Sequence, residues 1–269
     1  KVLRPGIEHL VATDLDVMQP LFEVMVRQTG AQIAGATLQQ LDDNFPDIRW
    51  SAAPDYVASA CEASLQRLGT DYIDLYQLHF PDATTPLEDT IAALHDLVSA
   101  GKIREFGCSN FDAERLRAAR EAARGGRGFV SVQNQYSLLA REPETGVLEA
   151  CDQLGIGLLP YYPLANGLLT DKFVPGQPPV SGSRLDKMPE NRREHWLGDD
   201  MVKRASAIHD YAKDIDVPVL TLAFSWLLSR PQVSSVIAGA SNADQVAANV
   251  RAATTLSRDV VDALDRLTN

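Results

Sequence analysis

The sequence predicts an α/β fold of the (β/α)8 type, a TIM barrel, and two observations support that prediction. An apolar run, a polar or glycine-containing tip and an amphipathic helix recur along the chain, as expected where parallel strands alternate with helices. The run DYIDLYQLH (71–79) stops on an ionisable side chain, His79, and barrels place their chemistry at the carboxyl ends of strands. A doubly wound open sheet is the alternative fold.

The first predicted elements follow from strand runs and helix-end signals. A helix is expected over 51–69, with Ser51 as its cap and Gly69 as its stop. The strand that ends at His79 comes next, and Pro86 then opens a helix that Gly101 ends. Farther along the chain, a strand is expected over 103–108, followed by a helix from about Asp112, a strand near 130–135 and a helix over 145–154.

The last third of the chain combines a strand of 156–161 with a long irregular segment, 171–200, which is rich in Gly and Pro. That segment is too long for a simple connector, so we expect a lid or a disordered loop. The elements expected beyond it are helices near 200–214 and 219–229, a strand over 233–238 and two closing helices.

The first 50 residues provide fewer elements than a barrel needs before the strand ending at His79. One helix is expected over 16–30, one strand over 31–38 and a loop at 42–47. We therefore expect a single barrel domain over 1–269, either complete or lacking part of its amino-terminal wall. The length of 269 residues is enough for one barrel and little more.

The composition of the chain argues against several classes of binding partner. The net charge of −11 argues against nucleic acid and anionic membranes, because phosphate binding needs clustered Lys and Arg. No apolar stretch approaches the length of a membrane span, and no signal-peptide core is visible at the start. The three cysteines, Cys61, Cys108 and Cys151, have no metal-ligand spacing. Free thiols in a cytoplasmic protein without a metal site are therefore expected.

Five segments of the chain, taken together and in order, resemble the aldo-keto reductases over residues 51–250. The segments are RLGTDYIDLYQLHFPD (67–82), GKIREFGCSNF (101–111), VQNQYSLLAR (132–141), YYPLANGLLTDKF (161–173) and VIAGASNADQVAANV (236–250). The resemblance implies a (β/α)8 barrel that binds a nicotinamide cofactor, usually NADPH, without a Rossmann fold. It also implies reduction of an aldehyde or ketone, or the reverse reaction.

The resemblance assigns cofactor roles to residues at the strand ends. Ser109, Asn110 and Gln133 hold the nicotinamide carboxamide, and hydride transfer does need the ring fixed by directional hydrogen bonds. Tyr161 stacks on the ring, for which an aromatic face is suited. The turn that follows Tyr161 contributes Pro163, Leu164 and Gly167 to the predicted site.

The resemblance also assigns residues to the cofactor phosphates. Lys172 and Arg184 match basic residues that clamp phosphate, and their charge favours NADP(H) over NAD(H). Barrels commonly bind phosphate at the last strand end, where free N–H groups of a helix start face an anion. The residues predicted to surround that point are Gly239, Ser241, Gln245 and Asn249.

Each of these residue types also has an ordinary structural role. In isolation Ser109 and Asn110 would cap a helix, Tyr161 would be a core aromatic and Lys172 would be solvated. The ordered co-occurrence of the segments favours the cofactor interpretation, although Cys108 is left as structural. His79 matches the family's catalytic histidine, which orients and polarises the carbonyl.

The family's proton donor is a Tyr whose pKa is lowered by a Lys that is itself paired with an Asp. This sequence has no Tyr before Tyr56, and its only Lys before Lys102 is Lys1. Aligning TGAQIAGATLQQ (29–40) with the family's second strand places Gly35 at the Asp position. Gln39 or Gln40 then falls near the Tyr position.

Three explanations of this departure stay open. In the first, the sequence omits or scrambles part of an ordinary enzyme's start. In the second, the protein is a truncated or degenerate relative that binds cofactor without reducing carbonyls. In the third, the barrel carries other chemistry, such as an elimination with His79 as acid or base. The function predicted from the sequence is an NADPH-dependent reductase of a small-molecule aldehyde or ketone.

Overall fold

The computed structural model describes residues 51–240 and 242–268. The helix expected over 16–30, the strand over 31–38, the loop at 42–47 and Ser241 therefore lie outside the described residues. The chain divides into two compact units, of which the first ends at Phe106 and the second begins at Gly107. The prediction of a single domain over 1–269 stays a prediction.

Strands and helices alternate through much of the described chain. The strands are β1 (Ile73–Leu78), β2 (Ile103–Ser109), β3 (Ser131–Gln133) and β4 (Gly157–Leu158). The α-helices are α1 (Pro54–Leu68), α2 (Leu87–Ser99), α3 (Ala113–Ala122), α4 (Val147–Leu154), α5 (Glu190–Trp196), α6 (Asp199–Asp214), α7 (Val219–Leu228), α8 (Ala243–Ala252) and α9 (Arg258–Thr268). Short 3-10 turns occupy Glu142–Glu144 and Ala165–Gly167.

Helix α1 of the first unit ends as the sequence predicts but begins differently. Gly69 adopts φ 66°, and its N–H donates to the carbonyl of Leu65 at 2.9 Å, which confirms it as the stop. The expectation that Ser51 caps the helix is wrong. Ser51 lies three residues before the first helical residue, and its hydroxyl accepts from the N–H of Ala53 at 3.2 Å.

Strand β1 is less buried than predicted. Leu78 is buried, but the other residues of β1 are half-buried, because the strand also carries the polar side chains of Asp74 and Gln77. Strand β2 is hydrogen-bonded next to β1, and the N–H of Ile73 donates to the carbonyl of Lys102 at 2.9 Å. The predicted ends of α2 are confirmed: Pro86 precedes its first residue, and Gly101 follows its end with φ 72°.

In the second unit the carboxyl end of β2 lies beside β3, and β3 lies beside β4. Strands β2 and β3 are parallel, with Cys108 opposite Val132 and Ser109 opposite Gln133. Strands β3 and β4 are also parallel. Each strand thus neighbours the next one along the chain, as in a barrel, whereas a doubly wound sheet reverses its order at a switch point.

The strands predicted over 156–161 and 233–238 are shorter in the structure. Only Gly157–Leu158 forms a strand, and the later segment contributes isolated parallel bridges from Val233 to Leu158 and from Ile237 to Tyr161. Pro160 accounts for part of the difference, because it has no N–H to continue the ladder. Its carbonyl still accepts from the N–H of Ile237 at 2.9 Å.

The segment 171–200 is more ordered than predicted. It contains α5, and two of its apolar side chains, Leu185 and Trp196, are buried. The expectation of a disordered loop is therefore corrected, because apolar anchors and a helix hold the segment at several points. The alternative of a lid stays a prediction. Within the part of the chain that the structure describes, no helix is long and apolar enough to cross a membrane.

Candidate cofactor-binding site

A shared carbonyl joins the carboxyl ends of β2 and β3. The hydroxyl of Ser109 donates to the backbone carbonyl of Gln133 at 2.7 Å, and the N–H of Asn110 donates to the same oxygen at 3.0 Å. Ser109 is buried, and Gln133 is half-buried. The two strand ends are thus fixed relative to each other by side-chain and backbone hydrogen bonds together.

Asn110 links these strand ends to Tyr161. Its side-chain amide donates to the Ser109 hydroxyl at 3.1 Å, and its Oδ1 accepts from the Tyr161 hydroxyl at 2.8 Å. The backbone of Asn110 has φ 62°, a left-handed conformation that Asn tolerates better than most residues. The sequence-predicted residues Ser109, Asn110, Gln133 and Tyr161 therefore form one connected hydrogen-bonded cluster.

Tyr161 is held through its backbone as well. Its N–H donates to the carbonyl of Asn134 at 3.0 Å, and its carbonyl accepts from the N–H of Tyr136 at 3.3 Å. Burial raises the pKa of Tyr161, and the neighbouring Tyr162 adds to the effect. The phenol therefore stays protonated at neutral pH and can keep donating to Asn110.

The turn after Tyr161 has a strained backbone. Tyr162, Ala165 and Asn166 have φ values of 54°, 46° and 57°, in the left-handed region that non-glycine residues seldom adopt. Such conformations cost on the order of 1–3 kcal/mol each and concentrate at functional sites. Three residues of the predicted cofactor site lie in this turn: Pro163, Leu164 and Gly167.

Of the two predicted phosphate-binding cations, Arg184 lies beside the last strand segment. Its guanidinium is 5.4 Å from the centre of the Tyr162 ring, and its Nη2 lies 4.0 Å from the position that a Cβ would take on Gly239. Lys172 is exposed, and its backbone N–H donates to the Thr170 hydroxyl at 3.3 Å. The structure thus brings Arg184 and Gly239 together.

Helix α8 begins close to Gly239 in the sequence. Asn242 caps it, and its side-chain oxygen accepts from the N–H of Gln245 at 2.9 Å. Gln245 and Asn249 are half-buried and four residues apart, so they share one face of α8. Ser241 lies outside the described residues.

These groups fit a nicotinamide dinucleotide by chemistry. Amide and hydroxyl groups lie at the strand ends, where a carboxamide would bind. A guanidinium and a helix amino terminus, which favour an anion, lie near the last strand segment. Within 51–240 and 242–268, Arg184 has no carboxylate partner that would neutralise it.

His79, in the first unit, directly follows β1. Its ring contacts the Phe80 ring at a centroid distance of 4.5 Å. Part of the side chain is exposed, yet the surrounding protein desolvates the ring enough to lower the pKa of His79. The imidazole is therefore neutral at pH 7 and can offer one N–H donor and one acceptor nitrogen.

Asp82 was not predicted as part of the site, and it fixes the loop that follows His79. Its carboxylate accepts from the N–H of Ala52 at 2.8 Å, from the N–H and hydroxyl of Thr84 at 2.8 and 2.6 Å, and from the Thr85 hydroxyl at 2.8 Å. Burial alone would raise the pKa of Asp82, but these hydrogen bonds outweigh it and hold the pKa well below its usual range. The Asp-x-Thr-Thr spacing is a local turn signal that could have revealed this role.

Two residues of the second unit were also missed. The Tyr162 ring contacts both the Tyr161 ring and the Arg184 guanidinium, and nothing in the local sequence predicts either contact. Asn134 donates to the carbonyl of Phe111 at 2.8 Å, while its buried Oδ1 has no hydrogen-bond partner within the described residues. The segment VQNQYSLLAR contains Asn134, but its local pattern predicts no role for that residue.

The tyrosine pKa values do not point to a proton donor among the described residues. Burial raises the pKa of Tyr76 to about 12, and it raises the pKa of Tyr136 and Tyr161 as well. A tyrosine with a raised pKa holds its proton more tightly than an ordinary phenol. Gly35, Gln39 and Gln40, which the sequence alignment places at the family's Asp and Tyr positions, lie outside the described residues.

The family comparison covers most of the chain. The model of the "Aldo/keto reductase family" matches residues 44–269. The chain belongs to the aldo-keto reductase family. Proteins of this family are (β/α)8 barrels, so the fold class predicted from the sequence is confirmed.

Several curated relatives of this aldo-keto reductase chain carry functional names. It is 34% identical to the NADH-specific methylglyoxal reductase of Escherichia coli, over 80% of this chain and 67% of the relative. It is 34% identical to a probable voltage-gated potassium channel subunit beta of Arabidopsis thaliana, over 73% of this chain and 61% of the relative. It is 32% identical to the L-glyceraldehyde 3-phosphate reductase of E. coli, over 75% of this chain and 59% of the relative.

The chain thus spans between 59% and 67% of the length of these three relatives. Family membership gives the fold class of the chain, and proteins of this family use nicotinamide cofactors in general. The roles predicted for the individual residues of the site stay predictions.

Proposed function

We propose that this aldo-keto reductase is an NADPH-dependent reductase of a small aldehyde or ketone. The observation that carries the proposal is the hydrogen-bonded cluster of Ser109, Asn110, Gln133 and Tyr161. That cluster fixes polar groups at the carboxyl ends of neighbouring strands, where barrel enzymes place their chemistry. The names of two E. coli relatives, reductases of methylglyoxal and of L-glyceraldehyde 3-phosphate, support a small carbonyl substrate.

Each residue has a defined role in the proposed reaction. The cofactor, when bound, supplies the hydride. Ser109, Asn110 and Gln133 would hold the carboxamide and so restrict rotation of the ring relative to the substrate. The Tyr161 ring provides an aromatic face for stacking, and the hydrogen bond from its hydroxyl to Asn110 fixes the orientation of that face. The family resemblance assigns to His79, which is neutral at pH 7, the role of polarising the carbonyl oxygen.

The preference for NADPH rests on positive charge. Arg184 lies beside Gly239 without a carboxylate partner in the described residues, and Lys172 is exposed in the same long segment. A 2′-phosphate adds negative charge that a guanidinium binds well. The relative named as NADH-specific has the opposite preference, so cofactor choice has to be measured for this chain.

The alternative function is a cofactor-binding protein, or an enzyme of altered chemistry. No Tyr precedes Tyr56 in the sequence, and relatives in Arabidopsis and rice are each named a probable voltage-gated potassium channel subunit beta. General acid catalysis contributes about 10²–10⁴ in rate, so a chain without a proton donor would reduce carbonyls slowly even with cofactor in place. We place the protein in the cytoplasm, since its three cysteines are free and buried.

The test follows NADPH absorbance with methylglyoxal and a panel of aliphatic and aromatic aldehydes, using protein of verified mass. Turnover that disappears without the carbonyl supports the reductase. NADPH binding in calorimetry without turnover favours the cofactor-binding alternative. Binding of neither NADPH nor NADH would refute both proposals.

Cofactor choice is tested by Arg184→Ala. NADPH affinity should fall by about tenfold or more, because a hydrogen bond to a charged group contributes roughly 1.5–3 kcal/mol. NADH affinity should change little. Arg193→Ala, on α5 of the same unit, is the matched control for loss of one positive charge. Equal weakening of both cofactors by Arg184→Ala would contradict the preference for NADPH.

A further inference from the structure

Arg184 is an exposed side chain on a Gly- and Pro-rich segment, and such an arginine ordinarily samples many rotamers. In this structure its guanidinium lies 5.4 Å from the centre of the Tyr162 ring. A guanidinium over an aromatic face within about 6 Å is attracted by the ring quadrupole. The contact leaves the positive charge intact, whereas a carboxylate partner would neutralise it.

The Tyr162 ring is itself held from two directions. It packs edge-to-face on Tyr161, with ring centroids 5.1 Å apart and an interplanar angle of 83°. Its backbone has φ 54°, and its carbonyl accepts from the N–H of Ala165 at 2.9 Å, which closes the turn. Tyr162 is therefore a fixed platform beside the flexible Arg184 side chain.

The Tyr162 platform holds the Arg184 cation close to the end of the last strand segment, where an anion would bind. Nη2 of Arg184 is 4.0 Å from the Cβ position built on Gly239, at the end of the last strand segment. Gly239 has no side chain that would screen the guanidinium from an anion there. The order of contacts is thus Tyr161, Tyr162, Arg184 and then the backbone at Gly239.

We propose that Tyr162 is a positioning residue, which holds the Arg184 guanidinium at Gly239 and so favours cofactors that carry a 2′-phosphate. The inference rests on the proposed function, because Arg184 is there assigned to the cofactor phosphate. Tyr162 acts through Arg184 and does not itself contact the phosphate. By fixing the guanidinium in advance, it lowers the entropy lost when the phosphate binds.

The experiment measures affinity for NADPH, NADH and adenosine 2′,5′-bisphosphate in Tyr162 variants. Tyr162→Phe keeps the aromatic face and should bind all three as the unmodified protein does. Tyr162→Leu should weaken NADPH and the bisphosphate by about two- to fivefold, the range that corresponds to an exposed cation–π contact. NADH affinity should not change. Tyr162→Asn removes the ring but tolerates the positive φ, and it replaces Tyr162→Leu if that variant does not fold.

A double-mutant cycle with Arg184→Ala isolates the coupling. In the Arg184→Ala background, replacing Tyr162 by Leu or Asn should have no further effect on NADPH. If the ring acted only by packing on Tyr161, the variants would weaken NADPH and NADH equally and would do so without Arg184, which would overturn the inference. Failure of the unmodified protein to bind NADPH would instead refute the proposed function.

Discussion

At the scale of single residues, Asn110 connects the ends of β2 and β3 to Tyr161. It accepts from Tyr161, donates to Ser109 and donates its backbone N–H to the carbonyl of Gln133, while its own backbone is left-handed. A residue that combines these features serves both the turn geometry and the polar cluster. Replacing it should separate the two contributions.

We expect Asn110→Ala and Asn110→Gly to weaken NADPH binding by about two- to tenfold, the value of one neutral hydrogen bond of roughly 0.5–1.5 kcal/mol. The Ala variant should also melt at a lower temperature than the Gly variant, because only Ala is strained at φ 62°. Fluorescence titration and thermal melts measure the two effects. Unchanged binding by the Gly variant would show that the Asn110 side chain does not hold the cofactor.

Asp82 should make the stability of the first unit depend on pH. Hydrogen bonds hold the pKa of Asp82 below its unfolded value of about 4, so its contribution to stability is present above that pH. The contribution is lost as the pH falls through the folded pKa. We expect Asp82→Asn to lower stability at pH 7 and to flatten the loss of stability below pH 4.

Urea unfolding at several pH values measures the Asp82 effect. The control is Asp71→Asn, an exposed carboxylate in the same unit. Parallel pH profiles for Asp82→Asn and the unmodified protein would contradict the prediction. A steeper acid transition in the Asp71 variant would show that general charge, not the Asp82 hydrogen bonds, controls the profile.

The sequence predicted much of the site but not its contacts. Ser109, Asn110, Gln133 and Tyr161 could be named because each follows a strand in a segment with a strong family resemblance. The Tyr162–Arg184 contact could not, because it joins residues 22 positions apart across an irregular segment. The local Asp-x-Thr-Thr spacing could have revealed the bonds from Thr84 and Thr85 to Asp82, whereas the bond from Ala52 joins residues 30 positions apart and could not be predicted locally.

At the scale of elements, helices were more predictable than strands. The ends of α1, α2 and α3 follow local signals, since Gly69, Gly101 and Asp112 each act within one turn of chain. The extents of the strands depend on partners that are remote in sequence. Strand β4, for example, ends at Leu158, shortly before Pro160. The segment next to β4 in the sheet pairs with it only through an isolated bridge between Leu158 and Val233.

One carboxylate of helix α9, that of Asp265, bonds to several groups of the second unit. Asp265 accepts from the Trp226 indole at 2.9 Å and from Arg230, and Nη2 of Arg141 lies 3.1 Å from it. The carboxylate is half-buried, and removing it leaves two guanidinium groups without this partner. We expect Asp265→Ala to destabilise the unit by about 2–4 kcal/mol, slightly less than a fully buried pair.

The matched control for Asp265 lies on the same helix. Asp262 pairs with Arg258 at 3.0 Å, but this pair is exposed and should contribute at most about 0.5 kcal/mol. Urea unfolding of Asp265→Ala and Asp262→Ala gives the comparison. Equal, small effects of the two variants would mean that the Asp265 cluster does not hold α9.

At the scale of the whole molecule, the chain has two compact units, which unfold either together or separately. The effect of cofactor binding on thermal unfolding distinguishes the two cases. A ligand that binds only the folded protein stabilises it by about 2.7 kcal/mol at a hundred times its Kd. For a chain of this size that corresponds to a rise in Tm of roughly 5–10 °C. If residues 1–269 form one domain, calorimetry should give one transition whose calorimetric and van't Hoff enthalpies agree.

NADPH should then move that entire transition upward. The proposed cofactor groups, from Ser109 to Asn249, belong to the second unit. If the two units unfold separately, NADPH would raise only the transition of the second unit and leave that of the first in place. The Arg184→Ala variant is the control, because its reduced affinity should shrink the NADPH shift without changing the number of transitions. Two transitions would contradict the single-domain prediction, and a cofactor-independent Tm would contradict the proposed cofactor site.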